Sequence, residues 1–319
     1  MVAQEKAVCL QDSGQAEPFL ICVMNTDLIS IIIPTCSRSH FLHASLESAL
    51  KQTYDNTEIL IVDDNGEGST EQARSYEAVK KYIDGKKVKY IRHERQKGGS
   101  AARNTGIKES AGKYTAFLDD DDSWNDKKIE KQFELLKKSD SETGLIYCGV
   151  RIKNAKKNFD RIVLPVKRGY ILRDLLLRNH IRSTSCILCK KKFLSQAGMF
   201  DEKLPIRQDI DLYIRMSQIC KFDFINEPLV MFNQHEETRI SHSVANRIDA
   251  NYILFEKFKD TYKLHPKAHS QFHYTQGKLL LKLQDYSKAR KHFFYAFKIQ
   301  KTNFRAFGKL VSITAQFKN

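Results

Sequence analysis

The 319-residue sequence lacks the uninterrupted apolar run of about 18 residues that a membrane-spanning helix needs. Its nearest candidate, residues 19–34, is broken by three polar residues at 25–27. The pattern of a secretory signal peptide is also missing, because acids interrupt the first 20 residues and no basic start leads into an apolar stretch. We therefore expect a cytoplasmic protein in which residues 1–27 form a poorly ordered leader outside the folded domain.

Cysteine is scarce and widely scattered, with seven residues in the chain. An odd number of scattered cysteines fits a reducing compartment better than a disulfide framework. Cys186 and Cys189 form one CxxC pair, but no second pair is present to complete a four-cysteine zinc site. We predict that both are small, buried side chains of a strand.

Acidic residues become scarce toward the C-terminus. From residue 251 onward the chain has 14 Lys and Arg but three Asp and Glu, so about +11 of the net charge of +15 lies there. A basic tail on a nearly neutral body suits an anionic partner, whether nucleic acid, anionic lipid or a phosphorylated substrate.

The basic tail, residues 243–319, is predicted to be a helical extension. Residues 277–297 fit two helices joined near Asp285. Five residues have a spacing similar to that of one tetratricopeptide repeat: Gly277, Tyr286, Ala289, Phe293 and Ala296. One such unit must pack on the catalytic domain, a partner or a membrane. Aromatic residues mixed with lysine favour an amphipathic helix at the anionic inner face of a membrane, and a solvated basic face is the alternative.

Between residues 28 and 138, apolar strands alternate four times with helices. The predicted strands are 28–34, 57–64, 87–93 and 114–120, and the predicted helices are 40–52, 69–84, 99–110 and 126–138. Strands that are apolar throughout and separated by helices predict a mainly parallel, Rossmann-like sheet covered by helices on both faces. Mixed strands and short helices follow from about residue 144 to residue 242.

Acidic residues directly follow two of these strands, at 63–64 and at 119–122. Because ligands of open α/β sheets bind beyond the carboxyl ends of the strands, we expect both groups to line one crevice. Four adjacent carboxylates repel one another and exceed what a helix cap requires. Mg²⁺ and Mn²⁺ prefer carboxylate ligands and share them with substrate phosphates. We therefore predict a divalent metal site, with helix capping as the alternative.

Five segments resemble glycosyltransferase family 2, and they occur in the order that the family has. They are IIIPTCSR (31–38), EILIVDDNGEGST (58–70), GGSAARNTGI (98–107), FLDDDDSW (117–124), which contains the Asp-X-Asp motif, and residues 183–216 on the acceptor side. The resemblance covers residues 28–242. It implies a GT-A fold and inverting transfer of a sugar from a nucleotide donor, usually UDP-linked, with a divalent metal as cofactor.

The resemblance also assigns roles to residues of the first half. Pro34 and Thr35 would line the nucleotide pocket. Asp64 would accept a hydrogen bond from the base, or serve as a capping acid. Arg103 would lie near the nucleotide and Asp64, or form an ordinary salt bridge at a helix start.

The remaining assignments concern the metal and the acceptor. Asp119 and Asp120 would contact the ribose or orient the metal, and Asp121 would bind it. Asp209 occupies the position of the catalytic base, which takes a proton from the acceptor hydroxyl; the alternative is a helix cap. His235 is a further candidate ligand of the metal or the diphosphate, with a structural role as the alternative.

Three residues depart from the family pattern. Cys36 stands where many members have tyrosine, Gln208 replaces the glutamate that usually precedes the base, and Asn233 stands where arginine is common. The first departure weakens stacking on the base of the nucleotide, whereas the second leaves Asp209 in place.

The expected function is therefore sugar transfer to a saccharide or lipid-linked acceptor in surface polysaccharide or glycolipid synthesis. A sugar nucleotidyltransferase also uses paired acids, metal and nucleotide, but its glycine- and arginine-rich N-terminal loop is not evident. A non-enzymatic scaffold or nucleic-acid-binding protein needs only the basic tail. The sequence has no recognition helix and no RNA-binding signature, so we predict no nucleic-acid partner.

Overall fold

A computed structural model describes residues 27–154, 158–233 and 243–316. His235 and all but the last residue of the predicted leader lie outside the described residues. The strands are β1 (Ile29–Thr35), β2 (Thr57–Asp63), β3 (Val88–Arg92), β4 (Tyr114–Phe117), β5 (Asp122–Trp124), β6 (Thr143–Asn154), β7 (Phe159–Val163), β8 (Ile187–Lys190) and β9 (Lys221–Asn233). The helices are α1 (Ser39–Leu50), α2 (Thr70–Val79), α3 (Gly99–Glu109), α4 (Lys128–Lys138), α5 (Leu172–Leu177), α6 (Lys191–Gln196), α7 (Gln208–Met216), α8 (Val244–Lys257), α9 (Lys259–Leu264), α10 (Pro266–Lys282), α11 (Tyr286–Ile299) and α12 (Phe304–Gln316).

The described strands form one curled, nine-stranded sheet in the order β3-β2-β1-β4-β8-β6-β9-β5, with β7 paired to β6. Parallel pairing joins β1 to β2 and β4, β2 to β3, and β6 to β9, whereas β8 is antiparallel to both β4 and β6. Six of the nine strands therefore run in one direction. The predicted α/β fold with a mainly parallel sheet and C-terminal helices is confirmed.

Strands β1 and β2 form the centre of the core, and all seven residues of each are buried. Helix α3 packs very closely on β1, since a Cβ atom at Gly106 would lie 2.5 Å from Cγ2 of Ile32. This close approach places the first turn of α3 beside the carboxyl ends of the parallel strands. Cys186 and Cys189 are fully buried, as predicted from the sequence, but only Cys189 lies in a strand, β8, because Cys186 ends the 3-10 turn that precedes it.

The C-terminal helices pack on one another and on the sheet domain. Helices α10 and α11 form an antiparallel hairpin in which a Cβ atom at Gly277 would lie 2.8 Å from the ring of Phe293. Asp285 begins α11 by accepting a hydrogen bond from the backbone N–H of Lys288 at 3.0 Å. The hydroxyl of Tyr262 in α9 donates to the carbonyl of Leu176 in α5. Among the described helices, none has both the length and the apolarity to cross a bilayer.

Candidate active site

The carboxyl ends of β1, β2 and β4 open into one cavity of about 710 Å³. Its lining contains the predicted residues Pro34, Thr35, Asp64, Arg103, Asp119, Asp120 and Asp121, together with Arg207 and Gln208 from the start of α7. A smaller pocket of about 200 Å³ is lined by Arg103, Asp119, Gln208 and Asp209 among others. The two share Arg103, Asp119 and Gln208, so the aspartate cluster and Asp209 line adjoining pockets, which we together call the recess.

Asp64 organises the loop that leads into α3. One carboxylate oxygen accepts the backbone N–H of Lys97 at 2.8 Å and lies 2.7 Å from Nδ1 of His93, and the other accepts the N–H of Gly98 at 2.7 Å. Gly98 has a φ of 94°, a left-handed conformation that favours glycine. These bonds hold the loop before α3 and do not cap the helix, whose first residue is Gly99. The contact between Asp64 and the base of the nucleotide stays a prediction.

Arg103 pairs with Asp119 at the junction of the two pockets. Its Nη2 donates to Oδ1 of Asp119 at 2.5 Å, and the hydroxyls of Thr184 and Ser183 donate to the same carboxylate at 3.1 and 3.2 Å. Burial opposes ionisation of Asp119, but the charge of Arg103 and these hydrogen bonds hold the pKa of Asp119 below its usual range. Asp119 is therefore an ionised anchor for Arg103.

Asp120 and Asp121 share a different cation, Arg38. Its Nη1 lies 3.5 Å from Oδ1 of Asp120 and 3.0 Å from Oδ2 of Asp121, and Thr35 donates to Asp120 at 2.9 Å. Burial raises the pKa of Asp120 to about 7 against the attraction of Arg38, with smaller contributions from the charges of Asp121 and Asp119. Arg38 is thus shared by the buried carboxylate of Asp120 and the partly exposed carboxylate of Asp121.

Asp122 has a structural environment. It is 2% exposed, begins β5, and accepts the hydroxyl of Ser185 at 2.6 Å. The four aspartates therefore have three roles. Asp119 binds Arg103, Asp120 and Asp121 form an acidic pair at the cavity, and Asp122 supports β5.

Sequence reasoning missed Arg38, the hydroxyl residues 183–185 and His93. Arg38 ends the motif IIIPTCSR, and the hydroxyl residues begin the acceptor-side segment, so both lay inside recognised stretches. Their partners are 60 to 85 residues away along the chain, and residue spacing alone does not reveal which carboxylate each one contacts.

The donor set suits a divalent cation that also binds phosphate. Within residues 27–154, 158–233 and 243–316, no group of three or more His, Cys, Asp and Glu is placed to hold a metal. Mg²⁺, however, commonly binds through one or two carboxylates plus substrate phosphates and water. Asp120 and Asp121 offer hard oxygen ligands at the cavity wall, so these residues fit such an ion.

Asp209 lies in the first turn of α7 and lines the smaller pocket. Its Oδ2 accepts a hydrogen bond from Nδ2 of Asn179 at 2.8 Å. Burial raises the pKa of Asp209, although the N–H of Ile210 and the charges of Arg207 and Arg103 act in the opposite direction. A carboxylate with a raised pKa at a pocket wall has the properties of a general base.

The fold and the sequence are both similar to known sugar-transferring proteins. A glycosyltransferase of Rickettsia felis is 32% identical over 236 residues, which are 72% of this chain and 38% of that protein. An Escherichia coli enzyme named UDP-Glc:alpha-D-GlcNAc-diphosphoundecaprenol beta-1,3-glucosyltransferase is 35% identical over 156 residues, which are 49% of this chain and 57% of that protein. The chain thus spans about two fifths of the length of the Rickettsia relative.

A solved structure shares the fold at low sequence identity. The mannosyltransferase PcManGT from Pyrobaculum calidifontis, in complex with GDP-Man and Mn²⁺, superposes with a TM-score of 0.56 and 16% identity over 91% of this chain and 80% of that one. The model of the family described as Glycosyl transferase family 2 matches residues 30–198, more than half of the chain. The resemblance inferred from the five motifs is thereby confirmed, and the chain belongs to glycosyl transferase family 2.

Proposed function

We propose that the protein transfers a sugar from a UDP-sugar to an acceptor hydroxyl, with inversion at the anomeric carbon and with a bound divalent cation. The observation that carries this proposal is the recess shared by the aspartate cluster and Asp209. Its larger part, about 710 Å³, is of the size that ligand pockets have. An acidic pair and a separate carboxylate around one recess are what single-step displacement of a diphosphate requires.

In this mechanism Asp209 acts on the acceptor. A sugar hydroxyl is a weak nucleophile, so the carboxylate of Asp209 accepts its proton as the oxygen attacks the anomeric carbon. Asn179 orients that carboxylate through the bond to Oδ2 and leaves Oδ1 to receive the proton. Attack from the side of Asp209 while the diphosphate leaves on the side of the acidic pair inverts the anomeric centre.

The residues around β4 act on the donor. Asp121, with Asp120, would hold a cation that stabilises the charge developing on the leaving diphosphate. Arg103 is fixed by Asp119 at the junction of the two pockets and adds positive charge there. Pro34, Thr35 and Asp64 line the part of the cavity in which the nucleotide would lie.

A lipid-linked saccharide is the proposed acceptor, in the synthesis of a surface polysaccharide or glycolipid. The name of the E. coli relative states a diphosphoundecaprenol-linked acceptor and a UDP-Glc donor.

The proposed donor class is tested by incubating the full chain with UDP-, GDP- and TDP-sugars, with Mn²⁺ or with EDTA. We expect release of UDP that requires Mn²⁺. Release of pyrophosphate would indicate a nucleotidyltransferase, and no release from any donor would refute the proposal.

We also propose that the C-terminal helices rest on an anionic membrane surface. Phe304, Phe307 and Val311 lie at helical spacing on one face of α12 and are 73%, 46% and 52% exposed. Exposed basic residues flank this aromatic face: Lys298, Lys301, Arg305 and Lys309. Apolar side chains bordered by lysine and arginine are typical of helices that lie in the plane of an anionic bilayer.

Removing the aromatic face should weaken membrane binding. The variant Phe304→Ser with Phe307→Ser is expected to bind phosphatidylglycerol vesicles about tenfold less tightly than wild type, because two large apolar groups no longer enter the interface. The matched control is Ile162→Ser, which removes an apolar side chain that is 51% exposed on β7. Cosedimentation with vesicles measures the effect, and equal loss in both variants or no binding by wild type would contradict the proposal.

A further inference from the structure

Arg207, directly before α7, has a backbone conformation that few residues other than glycine adopt. Its φ is 66° and its ψ is 25°, in the left-handed region. It precedes Asp209 by two residues and lines the larger cavity. Residues held in such conformations are concentrated at ligand sites, because the surrounding structure has to maintain them.

The guanidinium of Arg207 is fixed from behind by the C-terminal helices. Its Nη1 donates to Oδ1 of Asn251 in α8. Nδ2 of Asn251 donates to Oε1 of Gln276 in α10 at 2.9 Å, and Nε2 of Gln276 donates to the carbonyl of Ile248 at 3.1 Å. Asn251 is 7% exposed and Gln276 is fully buried, so this chain of amides is a fixed support.

Arg207 differs in charge environment from the other two arginines of the cavity. Arg103 pairs with Asp119, and Arg38 with the acidic pair, Asp120 and Asp121. In the part of the chain that the structure describes, Arg207 forms no ion pair and its hydrogen-bond partner is a neutral amide.

Burial lowers the pKa of Arg207 although Asp209 attracts its charge, and the nearby charge of Arg247 lowers it further. A partly desolvated cation without an anionic partner is unfavourable, and a bound anion would compensate for the lost hydration.

We propose that Arg207 binds a phosphate or diphosphate group of the acceptor, with Asn251 and Gln276 as positioning residues. The inference rests on the proposed function, because it assigns the anion to the substrate that Asp209 deprotonates. Arg207 and Asp209 flank the start of α7, whereas the donor's diphosphate is placed beside the acidic pair after β4. The planar guanidinium suits bidentate binding of phosphate. The exposed Arg182 lines the smaller pocket with Asp209, whereas Arg207 lines the larger one, so a cation is present in each of the two adjoining pockets beside the start of α7.

Two acceptors that differ only in charge test the proposal. One is N-acetylglucosamine linked through a diphosphate to a short alkyl chain, and the other is the uncharged alkyl glycoside of the same sugar. With wild type, we expect kcat/KM to be about 10- to 100-fold higher for the diphosphate, as loss of a charged hydrogen bond predicts. Arg207→Met should abolish that preference and leave the donor's KM unchanged; because the charge of Arg207 also lowers the pKa of Asp209, its loss should change the rates with both acceptors by the same factor. Arg207→Lys should restore part of the preference.

Asn251→Asp is the sharper variant, because it is isosteric and places a carboxylate on the guanidinium. If Arg207 binds an anion, the new carboxylate competes with it, and the KM for the diphosphate acceptor should rise about tenfold with the melting temperature retained. If the contact between Asn251 and Arg207 has only a structural role, the KM for the diphosphate acceptor should be unchanged in this variant. Gln276 can rotate its amide to donate to the new carboxylate, but it then gives up its bond to the carbonyl of Ile248, so the melting temperature checks that the fold is retained.

A binding measurement separates this proposal from the proposed function. Isothermal titration of the full chain with the alkyl diphosphate alone, in the presence of saturating UDP, needs no turnover. We expect Arg207→Met to bind at least tenfold more weakly than wild type. Equal affinities, or a wild type that uses both acceptors equally, would overturn the assignment of Arg207. A rise in donor KM in Arg207→Met would instead assign the residue to the donor. Failure to release nucleotide from any donor would overturn only the proposed function.

Discussion

Asp209→Asn is expected to lower kcat for sugar transfer about 1,000-fold while the KM for the nucleotide-sugar changes less than about threefold. The amide keeps the shape of the side chain and the bond to Asn179 but accepts no proton from the acceptor hydroxyl. Loss of a general base costs about 100- to 10,000-fold in rate. Because Asp209 is proposed to act on the acceptor and the acidic pair on the donor, donor binding should be spared.

The pH profile gives an independent test of the same residue. The base is active when it is ionised, so activity should fall as the pH drops through the pKa of Asp209. Burial raises that pKa. The acidic limb of kcat, measured at saturating donor and Mn²⁺ so that the titration of Asp120 near pH 7 does not contribute, should therefore lie above pH 3.8, the ordinary value for aspartate, and should disappear from the residual activity of Asp209→Asn. Asp160→Asn, which removes an exposed carboxylate paired with Arg151, is the control. Equal activity of Asp209→Asn and wild type would exclude the assignment.

The fold could be predicted from local sequence because each early strand is apolar throughout. A seven-residue run such as that of β1 can be buried on both faces only in a sheet covered by other elements, and the alternating helices supply that cover. The antiparallel strand β8 could not be predicted in the same way. Its position between β4 and β6 depends on pairings between residues 40 to 76 positions apart, which leave no local periodicity.

The acidic residues of the candidate site could be predicted from the sequence, but the residues that bind them could not. Four consecutive aspartates marked the carboxyl end of β4, but the sequence does not show that Asp119 and Asp122 are bound by hydroxyls from residues 183–185. Nor does it show that Arg38 returns from the end of β1 to the acidic pair. The repulsion among the four aspartates can be predicted because they are adjacent in the sequence. The arginine and hydroxyl groups that stabilise their charges are distant in the sequence, and only folding brings them close.

The C-terminal helices illustrate a second limit. Their basic composition indicated an anionic partner, and spacing indicated a hairpin. Neither property revealed that Asn251 reaches Arg207, or that Lys257 in α8 pairs with Asp211 in α7 at 2.7 Å. Through these two contacts the helix that carries Asp209 is braced by the extension. The amino-acid composition therefore predicted the helical, basic character of the extension, but only the structure shows that the extension contacts α7, the helix that carries Asp209.

Asp121→Asn is expected to remove most of the dependence on the divalent cation and to lower kcat/KM about 100-fold or more. A bound cation contributes several kcal/mol to stabilising the leaving diphosphate, and Asp121 is the proposed ligand at the cavity wall. Asp122→Asn is the matched control, because it is the adjacent aspartate but supports β5. It should lower the melting temperature in the absence of ligand while keeping the response to the cation.

Thermal denaturation with UDP and Mn²⁺ separates the two variants. At ligand concentrations about 100 times the Kd, wild type should gain about 2.7 kcal/mol and melt roughly 4 to 5 °C higher, and Asp122→Asn should gain a similar increment. Asp121→Asn should gain less than about 2 °C, because UDP would bind without the cation that Asp121 would hold. If Asp121→Asn responds to Mn²⁺ as wild type does, the cation lies elsewhere. The acidic pair would then serve only to hold Arg38.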